Sequence, residues 1–140
     1  MSFEVRAAGD AELRTVWEWE YGPVVAATDA WLAQMAGWGH LGIWRGAELV
    51  GVVSWEPWPQ GQVCMAVSTK RRSLPRPVLR TILIQLGDSL FEAGVQAVCC
   101  IVPPGARAVR RLALSCRMMP GPTVRGHQLF LLPQSQRFTE

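Results

Sequence analysis

Lys70, Arg71, Arg72, Arg76 and Arg80 fall within one short stretch of this chain, and Arg107, Arg110 and Arg111 within another. Guanidinium groups grip phosphate oxygens through paired N–H donors, so the first stretch has side chains suited to a phosphorylated ligand. Its backbone argues the other way. Anion-binding turns aim several amide N–H groups into one space at a helix N-terminus and use glycine to do so. Residues 68–77 contain no glycine, and Pro75 and Pro77 have no N–H to offer. The stretch therefore reads either as an arginine-based phosphate site or as a solvated or partner-facing basic turn. Only Lys70 among the 14 basic residues is lysine, a bias that genome composition and phosphate binding explain equally well.

Proton transfer needs a positioned titratable group. Glu56, at the end of an expected hairpin, is the first candidate base and His40 the second. Each has a structural reading beside it: Glu56 as a solvated strand-end charge, His40 as a satisfied or exposed histidine at a strand start. His127 is similar, and Tyr21 is the only tyrosine. Cys64, Cys99, Cys100 and Cys116 sit in expected strand or helix interiors without C-x-x-C spacing, which reads as buried free thiols with no metal site. Cys99 and Cys100 are neighbours on a strand and point to opposite faces, which disfavours a disulfide between them.

All seven tryptophans, Trp17, Trp19, Trp31, Trp38, Trp44, Trp55 and Trp58, lie in the first half. They suit an aromatic-lined substrate or peptide groove, or ordinary core and interface packing. Trp58, between two prolines, is expected to be exposed. Arginines and tryptophans segregate along the chain, which argues against a platform for single-stranded nucleic acid.

The elements that must hold these residues centre on 63–102. Residues 63–67 are apolar on both faces, as in an interior strand. From Val78, the positions Leu79, Ile82, Leu83, Leu86 and Leu90 put one apolar stripe on a helix that Gly94 stops. Residues 95–102 form a second interior strand, so strand, helix and strand imply a parallel pair. Before them stand a half-buried edge strand at 3–7, a helix capped by Asp10, a second helix over 24–35 opened by Pro23, and a hairpin of 40–44 with 48–55 turning at Arg45-Gly46 and closed by Pro57 and Pro59. After them come a short helix with Val109, Leu112, Ala113 and Cys116 on its apolar side, ended by Pro120-Gly121-Pro122, and a last strand at 126–132. The expectation is an α/β protein with a mixed sheet in the order β-α-α-β-β-β-α-β-α-β.

A chain of 140 residues with net charge +3 is read as one domain over 1–133 with a loosely ordered tail at 134–140. Its apolar runs are strand-sized, and no secretory leader pattern opens the sequence, so the expected location is cytoplasmic.

In element order and lengths the chain resembles the GCN5-related N-acetyltransferase (GNAT) family. That resemblance implies acetyl-CoA as cofactor, its pyrophosphate held by strand 63–67, turn 68–77 and helix 78–93, with Val67, Lys70, Arg71, Arg72, Arg76 and Val78 as binding residues. It also implies a proton-donating tyrosine in the helix after the fifth strand, yet 106–118 contains none, and Pro103-Pro104-Gly105 stands where the family often has asparagine. The Lys70-Arg71-Arg72 segment further resembles small GNAT-like proteins of short-tailed bacteriophages linked to virion assembly. The leading expectation is a GNAT-fold protein with a degenerate acetyl-CoA site, acting through a protein partner in phage particle assembly, in the host cytoplasm or the virion. The alternative is an active acetyl-CoA-dependent N-acetyltransferase with an arginine-based pyrophosphate site.

Overall fold

The computed structural model describes residues 2–136. In chain order its elements are β1 Glu4–Ala7, α1 Asp10–Tyr21, α2 Asp29–Met35, β2 Gly39–Arg45, β3 Glu48–Trp58, β4 Gln62–Thr69, α3 Arg76–Glu92, β5 Ala97–Val102, α4 Arg107–Ser115, β6 Met119–Val124 and β7 His127–Pro133. The strand order is β1-β2-β3-β4-β5-β7-β6. The sheet is mixed, as expected. Strands β4 and β5 pair in parallel from Gln62↔Ala97 to Met65↔Cys100, whereas β1 with β2, β2 with β3, β5 with β7 and β6 with β7 are antiparallel.

The chain divides into two compact units. One comprises the residues up to Glu56 together with Ala66–Leu74, the other Pro57–Met65 together with the residues from Pro75 onward. In the first unit Leu13 and Val16 of α1, Leu32 of α2, Ile43 of β2, and Val50, Val52 and Val53 of β3 are the buried core. The apolar stripe of α1 repeats at helical spacing, while β3 is buried at both parities over 50–54, as a central strand covered on two faces must be. In the second unit Leu79, Ile82, Leu86 and Phe91 of α3 are buried, as are Ala97, Val98, Cys99 and Val102 of β5 and Phe130 and Leu132 of β7. Val102, Ala113 and Phe130 form a cluster there, with Cys100, Ala106 and Met118 packed against it. Ala93 caps the end of α3, and Gly94 follows at φ 103°, the left-handed position that glycine fills without a Cβ clash.

Several boundaries move from where the sequence put them. Strand β1 is exposed at all four positions instead of alternating. Gly9, not Asp10, caps α1, its N–H donating to Glu12 Oε1 at 2.8 Å. Helix α2 begins at Asp29, five residues later than expected. Thr28 Oγ1 accepts from the Trp31 N–H at 3.1 Å and provides the better start. Strand β3 runs through Pro57 to Trp58. Strand β4 is longer than expected, and its two-sided cover ends early, with Ala66 and Val67 exposed. On α4, Val109 is exposed while Ala113 and Cys116 are buried.

Pro120-Gly121-Pro122 does not end a helix but lies within β6, a strand the sequence concealed. Its pairing with β7 shifts register between Pro120 and Thr123, an irregularity that lets prolines sit in a strand. Of the expected tail, Gln134–Gln136 make a 3-10 turn, with Gln134 N–H donating to Gln96 O at 2.9 Å. The rest of that tail, 137–140, lies outside the described residues.

Candidate functional site

The basic turn begins where β4 ends. Lys70 N–H donates to the Val50 carbonyl at 2.9 Å, and Ser73 N–H closes back on the Lys70 carbonyl at 3.1 Å. Arg72 takes φ 59°, a left-handed conformation that a non-glycine residue adopts at a cost. The Lys70 ammonium is already engaged: it donates to Glu48 Oε2, while Arg45 Nη2 donates to Glu48 Oε1 at 2.8 Å. The hydrogen bond from Lys70, and next the one from Arg45, hold the Glu48 carboxyl below the usual carboxylate value. Arg71 and Arg72 are exposed. Both amides that this turn has spent, those of Lys70 and Ser73, are lost to any anion.

In the second unit α3 opens on Pro75 as N-cap, with Arg76 and Pro77 as its first helical residues. Its first helical bond runs from Leu79 N–H to Pro75 O at 3.1 Å. Of positions 75–78, where a helix N-terminus leaves amides for an anion, only Arg76 and Val78 have an N–H. Arg76 is exposed and Val78 half-buried. Arg80 is not part of a basic cluster for a ligand, because its Nε donates to the Ser115 carbonyl at 3.0 Å, at the end of α4. A backbone cradle for a pyrophosphate is thus poorly served by this chain, and side chains would have to supply most of the contacts.

Each proposed base has its surroundings. His40 Nε2 lies 2.7 Å from the Met35 carbonyl and Nδ1 lies 2.7 Å from Ser54 Oγ. A carbonyl only accepts, so Nε2 carries a proton and donates to Met35, while Nδ1 pairs with the Ser54 hydroxyl. Both ring nitrogens are occupied. Glu56 is half-buried on β3. His127 is exposed, its Nδ1 3.3 Å from the Arg125 carbonyl.

A second-unit cavity of about 150 Å³ is lined by Pro103, Pro104, Gly105, Arg107, Arg110 and Gln128, among others. It adjoins the N-terminal turn of α4, the helix where the resemblance called for a tyrosine. Arginine stays protonated at every working pH and cannot trade a proton. Arg110 donates to Gln128 Oε1 and lies 5.4 Å from the centre of the Phe130 ring.

The first unit has an open cavity of about 220 Å³, walled by Trp17, Tyr21, Trp31 and Trp38 together with Glu20, Ser68 and core aliphatics. Trp17 stands 4.4 Å from Tyr21 and 4.9 Å from Trp31 between ring centres, tilted against both, and its indole N–H donates to the Val25 carbonyl at 2.8 Å. All seven tryptophans are half-buried. Trp58 is no exception, contrary to the exposure expected for it. Arg6 covers Trp44 at 4.3 Å, and the Trp55 indole lies against Gly39. The four cysteines are free thiols, as expected, with Cys99 and Cys116 buried. Burial, then the neighbouring thiols of Cys64, Cys99 and Cys116, push the Cys100 thiol up to about 12. Among the described residues no group of three or more acids, histidines or cysteines could hold a metal, and no helix is long and apolar enough to cross a membrane.

No family model and no curated protein matches this sequence. Solved structures do match the fold. One is yncA from Salmonella typhimurium, assigned as an acetyltransferase and solved with its cofactor acetyl-CoA, at TM-score 0.74 and 16% identity over 96% of this chain and 95% of that one. Another is the PaiA N-acetyltransferase from Thermoplasma acidophilum in complex with coenzyme A, at TM-score 0.72 and 12% identity over 95% and 99%. The GNAT domain of S. lividans PAT matches at TM-score 0.74 and 13% identity over 92% and 89%. At these identities the likeness is one of architecture: this chain has the fold of the GCN5-related N-acetyltransferases.

Proposed function

We propose that this GNAT-fold protein has a degenerate acetyl-CoA site and works through contacts with a protein partner. The observation that carries the reading is the start of α3. Pro75 and Pro77 leave only the Arg76 and Val78 amides there, while Lys70 is held by Glu48. Of the residues that the resemblance assigns to the cofactor, Val67, Arg71 and Arg72 are exposed in the first unit and Arg76 in the second. The absence of a tyrosine from α4 and the occupied ring of His40 point the same way. His40 is then a structural pin, and Glu56 a strand-end charge. Exposed apolar side chains support a protein partner: Val24 at 92% and Val25 at 55% between α1 and α2, and Val124 at 67% on β6. Assembly of a short-tailed phage particle, in the host cytoplasm or the virion, is the specific setting we propose, on the strength of the Lys70-Arg71-Arg72 segment in place of a glycine-rich turn. We read 1–133 as one functional domain, since the chain crosses three times between the two units without a linker sequence.

Calorimetric titration with acetyl-CoA tests the reading. No saturable heat at millimolar ligand is expected. Micromolar binding that disappears when Arg71 and Arg72 are both changed to alanine would overturn it and establish an arginine-based cofactor site.

A further inference from the structure

We propose that the first-unit cavity binds a quaternary ammonium group, the cationic head of a choline-like molecule or a trimethylated amine. Four of its wall residues, Trp17, Tyr21, Trp31 and Trp38, are aromatic, and the one ionisable carboxylate on its wall is Glu20. Aromatic faces carry negative electrostatic potential and attract cations that have lost their water, most strongly in the case of indole. No lysine or arginine lines the cavity among the described residues. The charge of the surrounding chain agrees: Glu4, Asp10, Glu12, Glu18, Glu20 and Asp29 face only Arg6 and Arg14 over residues 1–35, in a protein whose basic residues outnumber its acidic ones 14 to 11.

The choice of a quaternary over a primary ammonium follows from the make-up of the wall. Four aromatic side chains stand against one carboxylate, two serines and the Tyr21 hydroxyl, and a cation without N–H groups makes full use of aromatic faces. A quaternary cation has no N–H to satisfy and is held by aromatic faces and a single counter-charge. At about 220 Å³ the cavity is below the roughly 300–1,000 Å³ of pockets for drug-sized ligands, which suits a small head group. Tyr21, 58% exposed, stands where such a ligand would enter. A quaternary nitrogen cannot accept an acetyl group, so this proposal stands or falls apart from the question of acetyl-CoA binding.

Titration of the intrinsic tryptophan fluorescence with choline, its neutral carbon isostere 3,3-dimethylbutan-1-ol, and ethanolamine decides the matter. Saturable choline binding roughly tenfold tighter than that of the isostere is expected, a preference on the scale of one desolvated cation–aromatic contact, with ethanolamine weaker than choline. Tyr21→Ala and Glu20→Gln each alter an exposed residue and should weaken choline several-fold while leaving the near-ultraviolet circular dichroism of the folded protein in place. Equal binding of choline and isostere, binding of ethanolamine as tight as choline, or no saturation at tens of millimolar choline would each overturn the assignment.

Discussion

His40 and Ser54 face each other across the β2–β3 ladder, with Nδ1 and Oγ 2.7 Å apart, and the far ring nitrogen of the same histidine holds the last carbonyl of α2. The ring thus ties a helix end to two strands. Replacing it by alanine leaves the 7%-exposed Ser54 hydroxyl and the Met35 carbonyl without their partner. His40→Ala is expected to lower stability by about 1–3 kcal/mol, seen as a lower urea midpoint at unchanged slope. Ser54→Ala should cost less on its own. The double variant should cost less than the two singles combined, because the pair acts as one unit.

Gly39 pairs with Trp55 in the same ladder, and a Cβ built on it would lie 2.0 Å from the indole ring. No rotation of a methyl group relieves such an approach; the indole itself must move. Gly39→Ala is therefore expected to destabilise by about 1–3 kcal/mol, the usual cost of overfilling a packed site. Thermal denaturation measures the loss, and a changed near-ultraviolet tryptophan signal would show the ring displaced.

The Cys100 thiol, pushed up to about 12 from an ordinary 9.0, gives an alkaline signature. The folded state keeps the proton that the unfolded chain gives up above about pH 9. Stability from this group is complete below that pH and is lost progressively as pH rises towards 12. Cys100→Ser should flatten the decline between those limits in denaturation curves taken at stepped pH. In the folded protein at pH 8.5, Cys100 should resist iodoacetamide and become reactive once urea unfolds the chain.

Much of the architecture was legible in the sequence because hydrophobic periodicity decides it. Leu79, Ile82 and Leu86 on α3 and Ala97, Val98, Cys99 and Val102 of β5 are buried as their spacing requires, whereas Ile101, in a run expected to be covered on both faces, is exposed. Where periodicity was silent, reading failed. Strand β6 hides behind Pro120 and Pro122, since a strand that pairs on one side can spare N–H groups that an interior strand cannot. The start of α2 depended on whether Pro23 or Thr28 opens the helix, a contest that tertiary packing settles. The aromatic cavity was only half visible. The excess of tryptophan in the first half suggested a groove, but Trp17, Trp31 and Trp38 meet through α1, α2 and the loop before β2, and nothing in their spacing marks Trp44 and Trp55 as packed elsewhere. The proline defect at the start of α3 was the most legible feature of all, because a missing N–H is a property of the residue and needs no structure to be seen.

Pro120 and Pro122 have one more consequence. Strand β6 ends the strand order on one side and β1 on the other, and the free backbone of an outermost strand can template the addition of a second chain. Two residues without amide hydrogens and a broken register make β6 a poor template, and Glu4 and Arg6, exposed on β1, place charges along the opposite margin. Both outermost strands are thereby guarded against templating the addition of a second chain.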